Sequence, residues 1–264
     1  MSTNQSARRV AIVTGAASGV GAATARLLAG RAHDLVLNYR RSGALASETV
    51  EACRAAGAQV AVVQGDVADD AVCRTLAREA VQRWGRIDAV VNAAGATRFV
   101  PISNLEGIQA QDFQDIFAVN TIAPFQTARA AASHFIDGGA VVNVSSISAL
   151  SGNGSSIPYV VSKAALNALT LSLARALAPK VRVNTVMPGL IEGRWMKEGL
   201  GEEAYERVKG QYADTSLLGR VATPEHIAAA IAWLLDPLCL MTGQLMTVDS
   251  GFTLGKPPAA AGAR

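Results

Sequence analysis

The sequence of 264 residues contains little cysteine, little histidine and no long apolar run. Its three cysteines, Cys53, Cys73 and Cys239, are far apart and form no CxxC pair, which argues against a disulfide framework and a zinc site. Its three histidines show no metal-ligand spacing, so no metal is expected. No stretch approaches the roughly 20 apolar residues of a membrane-spanning helix, and residues 1–9 lack the apolar centre of a secretory signal. We therefore expect a cytoplasmic protein without a membrane partner.

Charge is also scarce, because only 17% of the residues are charged and the net charge is +3. Lys and Arg are scattered among Asp and Glu rather than gathered in a basic stripe, so a nucleic-acid partner is not expected. Half of the residues are hydrophobic, and they form short runs broken by Gly, Asp and Asn. Such runs are typical of buried strands, and the length suits one α/β domain.

Short β-branched runs alternate with segments of helical composition along the chain. Strands are expected at residues 10–14, 35–39, 59–64, 87–92, 140–145, 181–186 and 244–248. Helices are expected at residues 22–30, 43–56, 71–84, 113–135 and 159–177, and one more begins at Thr223-Pro224-Glu225. This order predicts a Rossmann-type, doubly wound parallel sheet of about seven strands with helices on both faces. We expect a single domain over residues 8–255, with flexible tails at 1–7 and 256–264.

A glycine-rich turn, TGAASGVG at residues 14–21, joins the first predicted strand to the first helix. Glycine permits a tight turn and lets the backbone approach a pyrophosphate, whose charge meets free N–H groups at the helix N-terminus. The spacing differs from the GxGxxG fingerprint. The candidate cofactor-binding residues of this turn are Gly15, Ser18, Gly19, Val20 and Gly21. A turn that binds no ligand is the alternative.

The second predicted strand ends in Asn38-Tyr39-Arg40-Arg41 and carries no acidic residue at its end. An Asp or Glu there would bind the ribose hydroxyls of NAD, whereas guanidinium groups suit bidentate contact with a 2′-phosphate. We therefore expect NADP(H) rather than NAD(H), bound in part by Tyr39, Arg40 and Arg41. The alternative is that both arginines are solvated charges at a strand end.

Two more segments follow strands and are candidates for cofactor contact. They are Asp66 and Val67 after the third strand, and Asn92, Ala93, Ala94 and Gly95 after the fourth. Asp66 could accept a hydrogen bond from the adenine amino group, and the small residues 92–95 would lie beside the cofactor. Turn chemistry without a ligand also explains either segment.

Tyr159 and Lys163 are four residues apart at the start of a predicted helix, so both side chains project from one face. Lowering a tyrosine pKa by about 2 to 3 units needs about 3 to 4 kcal/mol, and one ammonium about 5 Å away supplies about 3 kcal/mol, so Lys163 and an oxidised nicotinamide ring together suffice. We therefore predict that Tyr159 is the acid/base of a carbonyl–alcohol interconversion. Ser146 follows the preceding strand and can hold the substrate oxygen. Ser145 is the alternative, because strand alternation lets only one of them face the site.

The glycine turn, NAAG at 92–95, Ser146, YxxxK at 159–163 and Pro188-Gly189 occur in this order. With these motifs, residues 8–255 resemble the short-chain dehydrogenase/reductase family, and most of all its 3-oxoacyl-[acyl-carrier-protein] reductase group. The resemblance implies an NAD(P)-dependent enzyme that is usually a homotetramer, built through segments 113–135 and 159–177 and the final strand.

The resemblance also assigns roles to individual residues. It implies that Asn120 binds a water linking Lys163 to solvent, that Ser146 orients the substrate oxygen, and that Lys163 holds the nicotinamide ribose. It further implies that the nicotinamide is bordered by Pro188, Gly189 and Ile191. The chain departs from the family pattern at Glu192, where many relatives have Thr, and at Asp249-Ser250-Gly251, where Asp-Gly-Gly is common.

Residues 190–218 are too long for a plain connection, so we predict a mobile substrate lid. Phe99 and Trp195 are candidates for its mouth, with purely structural packing as the alternative. The expected reaction is NADP(H)-dependent interconversion of a ketone and a secondary alcohol, with 3-oxoacyl-thioester reduction as one possibility. The alternatives are an NAD(H)-dependent dehydrogenase of a sugar, steroid or other alcohol, a catalytically silent cofactor-binding regulator, and a nucleotide-sugar epimerase.

Overall fold

The computed structural model describes residues 8–255, so the predicted tails at 1–7 and 256–264 lie outside the described residues. Seven parallel strands form one sheet in the order β3-β2-β1-β4-β5-β6-β7. Their bounds are β1 Arg9–Thr14, β2 His33–Tyr39, β3 Val60–Gln64, β4 Ile87–Asn92, β5 Phe135–Val144, β6 Val181–Pro188 and β7 Leu245–Val248. This order confirms the predicted doubly wound parallel sheet.

Helices cover both faces of the sheet. Their bounds are α1 Gly19–Gly30, α2 Gly43–Ala55, α3 Asp70–Trp84, α4 Ala110–Phe117, α5 Ala123–Ala131, α6 Ser148–Ser151, α7 Ile157–Leu177, α8 Arg194–Leu200, α9 Glu202–Thr215 and α10 Pro224–Leu234. Because successive strand residues point to opposite faces, Val13 packs with α1, α2 and α10, whereas Ile12 packs with α3, α5 and α7. The core is therefore two apolar layers, one on each side of the sheet.

Helix α7 is 21 residues long with a mean hydropathy of 1.3, which is long and apolar enough in principle to span a membrane. Half of its most apolar window is buried inside the fold, where Leu166 and Leu173 are covered by the protein. Its apolar composition is therefore explained by its position as a core helix.

The continuous helix predicted over residues 113–135 is wrong in two respects. The chain forms α4, then a π-helical turn at Ala118–Ile122, then α5, and it is no longer helical at Phe135. Phe135 instead begins β5, where it is buried and pairs with Ile87. Strong helix formers run through the segment, so composition cannot reveal a turn that contains one extra residue.

Three features of the C-terminal half bear on the sequence predictions. Helix α10 begins with Thr223 as its N-cap and Pro224 in its first turn, as predicted. The segment 190–218, predicted as a lid, contains the helices α8 and α9. Ser250, which replaces a common family glycine, has a φ of 58°, a left-handed conformation that glycine adopts more easily.

Candidate active site

The loops after β1 and β4 touch each other at the point where the strand order reverses. The Thr14 hydroxyl accepts hydrogen bonds from the backbone N–H groups of Ala93 and Ala94, both at 3.1 Å. A Cβ on Gly15 would lie 2.8 Å from the Ala94 backbone, and Gly15 has a φ of 67°. Only glycine fits there, and the contact creates a crevice at the carboxyl ends of the strands, where ligands of such sheets bind.

The rest of the glycine turn presents free backbone to this crevice. A Cβ on Gly21 would lie 2.3 Å from the Gly15 carbonyl oxygen, whereas a Cβ on Gly19 would meet nothing within 4 Å. Ser18 is the N-cap of α1 but makes no side-chain capping bond, and Val20 packs inward against the core. The first N–H groups of α1 therefore receive no side-chain cap from Ser18, which fits a helix N-terminus that binds the pyrophosphate of a dinucleotide.

The end of β2 carries a charge pair. The Arg40 guanidinium lies 2.8 Å from a carboxylate oxygen of Asp66, and both side chains are partly exposed. Burial disfavours the ionised carboxylate, but the Ala68 N–H and Arg40 outweigh burial and lower the pKa of Asp66. Arg41 is exposed and forms no ion pair within residues 8–255, while the Tyr39 hydroxyl contacts Gln64 at 3.5 Å.

Tyr159 and Lys163 lie on the buried face of α7 at the carboxyl end of β5. The Ser156 side chain caps this helix by accepting from the Tyr159 N–H, which fixes where the helix begins. The Lys163 Nζ lies 5.7 Å from the centre of the Tyr159 ring and donates to the Val144 carbonyl oxygen at 2.8 Å. The two side chains predicted as a pair are therefore neighbours.

The two serines after β5 point to different partners. The Ser145 hydroxyl donates to the Lys163 carbonyl oxygen at 3.1 Å, so it is used by the backbone of α7. The Ser146 hydroxyl lies 3.0 Å from the Ser148 hydroxyl and interacts with the Tyr159 phenol. Of the two alternatives, only Ser146 lies where it can act with Tyr159 on a substrate oxygen.

The predicted lowering of the Tyr159 pKa is not supplied by the protein. Burial raises the pKa of Tyr159 to about 12, and the Ser146 hydroxyl opposes this only in part. Burial also lowers the pKa of Lys163 to about 8. The fold removes water from both groups, so without the positive charge of an oxidised nicotinamide the phenol keeps its proton. Near neutral pH the site therefore holds a protonated phenol.

Asn120 is fully buried in the π-helical turn, and its side-chain amide is committed to protein groups. Its Oδ1 accepts from the Ala96 N–H at 2.8 Å, and its Nδ2 donates to the Ala96 carbonyl and the Ser162 hydroxyl, both at 2.9 Å. Ser162 in turn donates to the Tyr159 carbonyl at 2.7 Å. Asn120 therefore ties the loop after β4 to the helix that carries Tyr159.

Pro188 ends β6, and Gly189 and Ile191 follow it at the carboxyl edge of the sheet. The Tyr212 hydroxyl would lie 1.8 Å from a Cβ on Gly189, so only glycine fits under it. Ile191 forms an isolated bridge with Ala222. Glu192, the departure from the family pattern, lies 2.9 Å from Lys209 of α9.

The remaining predicted residues also lie at this edge, and the structure adds others that sequence reasoning missed. A Cβ on Gly95 would lie 3.7 Å from Asn120 Oδ1 and 3.9 Å from Lys163 Nζ, and Val67 is buried against Ala94. Thr14 and Ser162 were not predicted. The hydroxyl of each one contacts a residue that is distant in the sequence, so no local sequence pattern predicts either contact.

Comparison with known proteins agrees with this geometry. The family model described as "Enoyl-(Acyl carrier protein) reductase" matches residues 15–253. The chain is 37% identical over 253 residues to "Granaticin polyketide synthase putative ketoacyl reductase 2" of Streptomyces violaceoruber, covering 95% of this chain and 98% of that protein. It is 34% identical over 253 residues to the 3beta-hydroxysteroid dehydrogenase 1 of Eggerthella lenta, covering 93% and 94%.

Solved structures extend the similarity to the backbone. A blue fluorescent protein from a metagenomic library, in complex with NADPH, matches with a TM-score of 0.83 and 30% identity, covering 92% of this chain and 97% of that chain. The sequence, the sheet order and the edge that gathers Ser146, Tyr159 and Lys163 therefore agree. The chain belongs to the short-chain dehydrogenase/reductase family and is an oxidoreductase that acts on CH–OH and C=O groups with NAD(P).

Proposed function

We propose that this enzyme interconverts a ketone and a secondary alcohol with NADP(H), using Tyr159 as the proton donor and acceptor. The observation that carries the proposal is the convergence of Tyr159, Lys163 and Ser146 beside the open glycine turn. When bound, the nicotinamide supplies or takes the hydride. Every other step falls to the protein's own side chains.

Each of these side chains has a part that follows from its contacts. Ser146 holds the substrate oxygen within reach of the Tyr159 phenol, which donates its proton in reduction and accepts one in oxidation. The Lys163 ammonium lies close enough to stabilise the phenolate that forms when the proton leaves. Because the Asn120 amide is fully engaged, a relay water would bind its main-chain carbonyl rather than its side chain.

The serine pair provides the first test of this site. Ser146→Ala should lower kcat/KM for ketone reduction by about 100-fold, because the substrate oxygen loses a directed hydrogen bond in the transition state. Ser145→Ala is the matched control, and it should leave kcat/KM within about threefold, since its hydroxyl faces the backbone of α7. NADPH oxidation followed at constant ketone measures both. Equal losses in the two variants would remove Ser146 from the mechanism.

The preference for NADP(H) is proposed from Arg40, Arg41 and the lack of an acid at the end of β2. Arg40→Ala and Arg41→Ala should each raise the Kd of NADPH about tenfold, because a charge-assisted bond to the 2′-phosphate is lost. The Kd of NADH should change less than about twofold. Arg54→Ala is the matched control, since Arg54 is equally exposed and pairs with Glu51. Fluorescence titration measures all affinities, and equal wild-type affinities for the two cofactors would contradict the preference.

The relatives leave the substrate open. One is named a ketoacyl reductase, which agrees with 3-oxoacyl-thioester reduction, and another a hydroxysteroid dehydrogenase, which agrees with a ring-bearing alcohol. A silent regulator is disfavoured because Asn120, Ser146, Tyr159 and Lys163 are all present and adjoining.

We further propose a cytoplasmic homotetramer formed through the α4–α5 segment, α7 and β7. Sedimentation of the purified protein tests the oligomeric state.

A further inference from the structure

An aromatic cluster covers the Tyr159 ring on its lid side. The Trp195 ring of α8 lies edge-on to Tyr159 with 6.1 Å between centroids, and edge-on to Phe99 with 6.4 Å between centroids. Tyr159 is only 8% exposed, whereas Trp195 is 48% exposed. Trp195 therefore adjoins the proton-transfer group directly, Phe99 adjoins Trp195, and about half of the Trp195 surface is available to another molecule.

Helix α8 is shaped to hold this arrangement. A Cβ on Gly199 would lie 2.0 Å from the Phe99 ring, so the ring rests directly on the helix backbone. Trp195 and Gly199 are four residues apart and share one face of α8, which places Phe99 against both. No residue of α8 is fully buried, and the contacts with Phe99 and Tyr159 join this helix to the side of the site that holds the phenol.

The lid offers no free cation to an anionic substrate. Segment 190–218 contains four basic and six acidic residues, a net charge of 4 − 6 = −2. Each basic residue lies within 4 Å of a carboxylate: Arg194 with Glu198, Lys197 with Glu202 and Glu206, Arg207 with Glu203, and Lys209 with Glu192. A substrate that carries phosphates, such as a coenzyme A thioester, would meet an acidic lid without an available partner.

We propose that the substrate is an uncharged ketone or secondary alcohol whose carbonyl carbon belongs to, or adjoins, a carbocyclic ring system. This inference rests on the proposed function, because it assumes that Tyr159 receives the substrate oxygen. The exposed part of Trp195 and the edge of Phe99 contact the ring while the oxygen lies between Ser146 and Tyr159. A rigid ring system buries its apolar surface against these side chains without losing rotatable bonds, whereas a flexible chain of the same carbon number loses conformational entropy on binding.

Two uncharged ketones of equal carbon number, 2-decalone and 2-decanone, test the proposal with NADPH. Wild type should reduce 2-decalone with a kcat/KM at least about tenfold higher than that for 2-decanone. Trp195→Leu and Phe99→Leu should each lower kcat/KM for 2-decalone about tenfold while changing that for 2-decanone less than about threefold. Trp233→Leu is the matched control, since Trp233 is 49% exposed on α10, and it should change neither value.

Acetoacetyl-coenzyme A is the anionic comparison in the same assay. Preference of the wild type for this thioester or for 2-decanone, or equal losses with both ketones in the two aromatic variants, overturns the ring proposal. In those cases NADPH is still consumed, and the proposed function stands. If NADPH binds but no ketone of the three is reduced, the proposed function fails and the ring proposal fails with it.

Discussion

Tyr159→Phe is expected to lower kcat for both reduction and oxidation by about 10³-fold, the range of general acid–base catalysis. The substitution removes only the hydroxyl, so the ring keeps its packing against Trp195 and its neighbours on α7. The Kd of NADPH should therefore change less than about twofold. Single-turnover absorbance at 340 nm measures the chemical step, and fluorescence titration measures cofactor binding.

Ser162→Ala is the comparison variant for Tyr159→Phe. Ser162 touches no reacting group, and it links the Asn120 amide to the Tyr159 carbonyl. A smaller loss in Ser162→Ala than in Tyr159→Phe is consistent with the hydroxyl acting directly. Undiminished single-turnover rates in Tyr159→Phe would refute Tyr159 as the proton-transfer group.

Lys163→Met is expected to inactivate the enzyme while raising its free energy of unfolding at pH 7 by about 2 kcal/mol. Burial lowers the Lys163 pKa from 10.5 to about 8, and this shift destabilises the charged form by about 3 kcal/mol. Removing the lysine also removes its hydrogen bond to the Val144 carbonyl oxygen, which reduces the expected stabilisation of the variant by about 1 kcal/mol. Urea denaturation at a fixed protein concentration measures the difference.

The size of this stabilisation depends on pH. Between pH 8 and 10.5 the unfolded chain keeps a proton on Lys163 that the folded chain has released, so wild-type stability rises with pH across this window. Lys163→Met lacks that rise, and its advantage should vanish by about pH 10. An advantage that stays constant from pH 7 to 10 would show that the lysine is not destabilised by burial.

Much of the fold follows from the sequence because its cues are local. The β-branched runs at β1 and β4 and the alternation of strands with helices specify a parallel sheet, and a parallel sheet brings strand ends to one edge. That edge explains why Gly15, Ser146 and Tyr159 could be predicted as neighbours although they are far apart in the chain. The shared face of Tyr159 and Lys163 could also be predicted, because residues four apart in a helix lie on the same face.

The errors arise where the outcome depends on tertiary structure. Composition could not show that Asn120 lies in a π-helical turn. In this turn the Asn120 side-chain amide binds Ala96 and Ser162, which are distant in the sequence. The burial that raises the pKa of Tyr159 in the protein without cofactor could not be predicted either, because it depends on every element packed around α7. The pairing of Arg40 with Asp66 could not be predicted either, since Asp66 lies 26 residues further along the chain, in the loop after the neighbouring strand β3.

The contact of Tyr212 with Gly189 has a mechanical consequence for the lid. The Tyr212 hydroxyl donates to the Asp249 carbonyl oxygen at 2.8 Å and its ring stacks on Phe252, so the C-terminal end of α9 is anchored to the loop after β7. The other end of the predicted lid is held by the bridge of Ile191 with Ala222. An opening motion would therefore hinge at both of these anchors and lift the part between them, which includes α8 and Trp195, away from the Tyr159 ring.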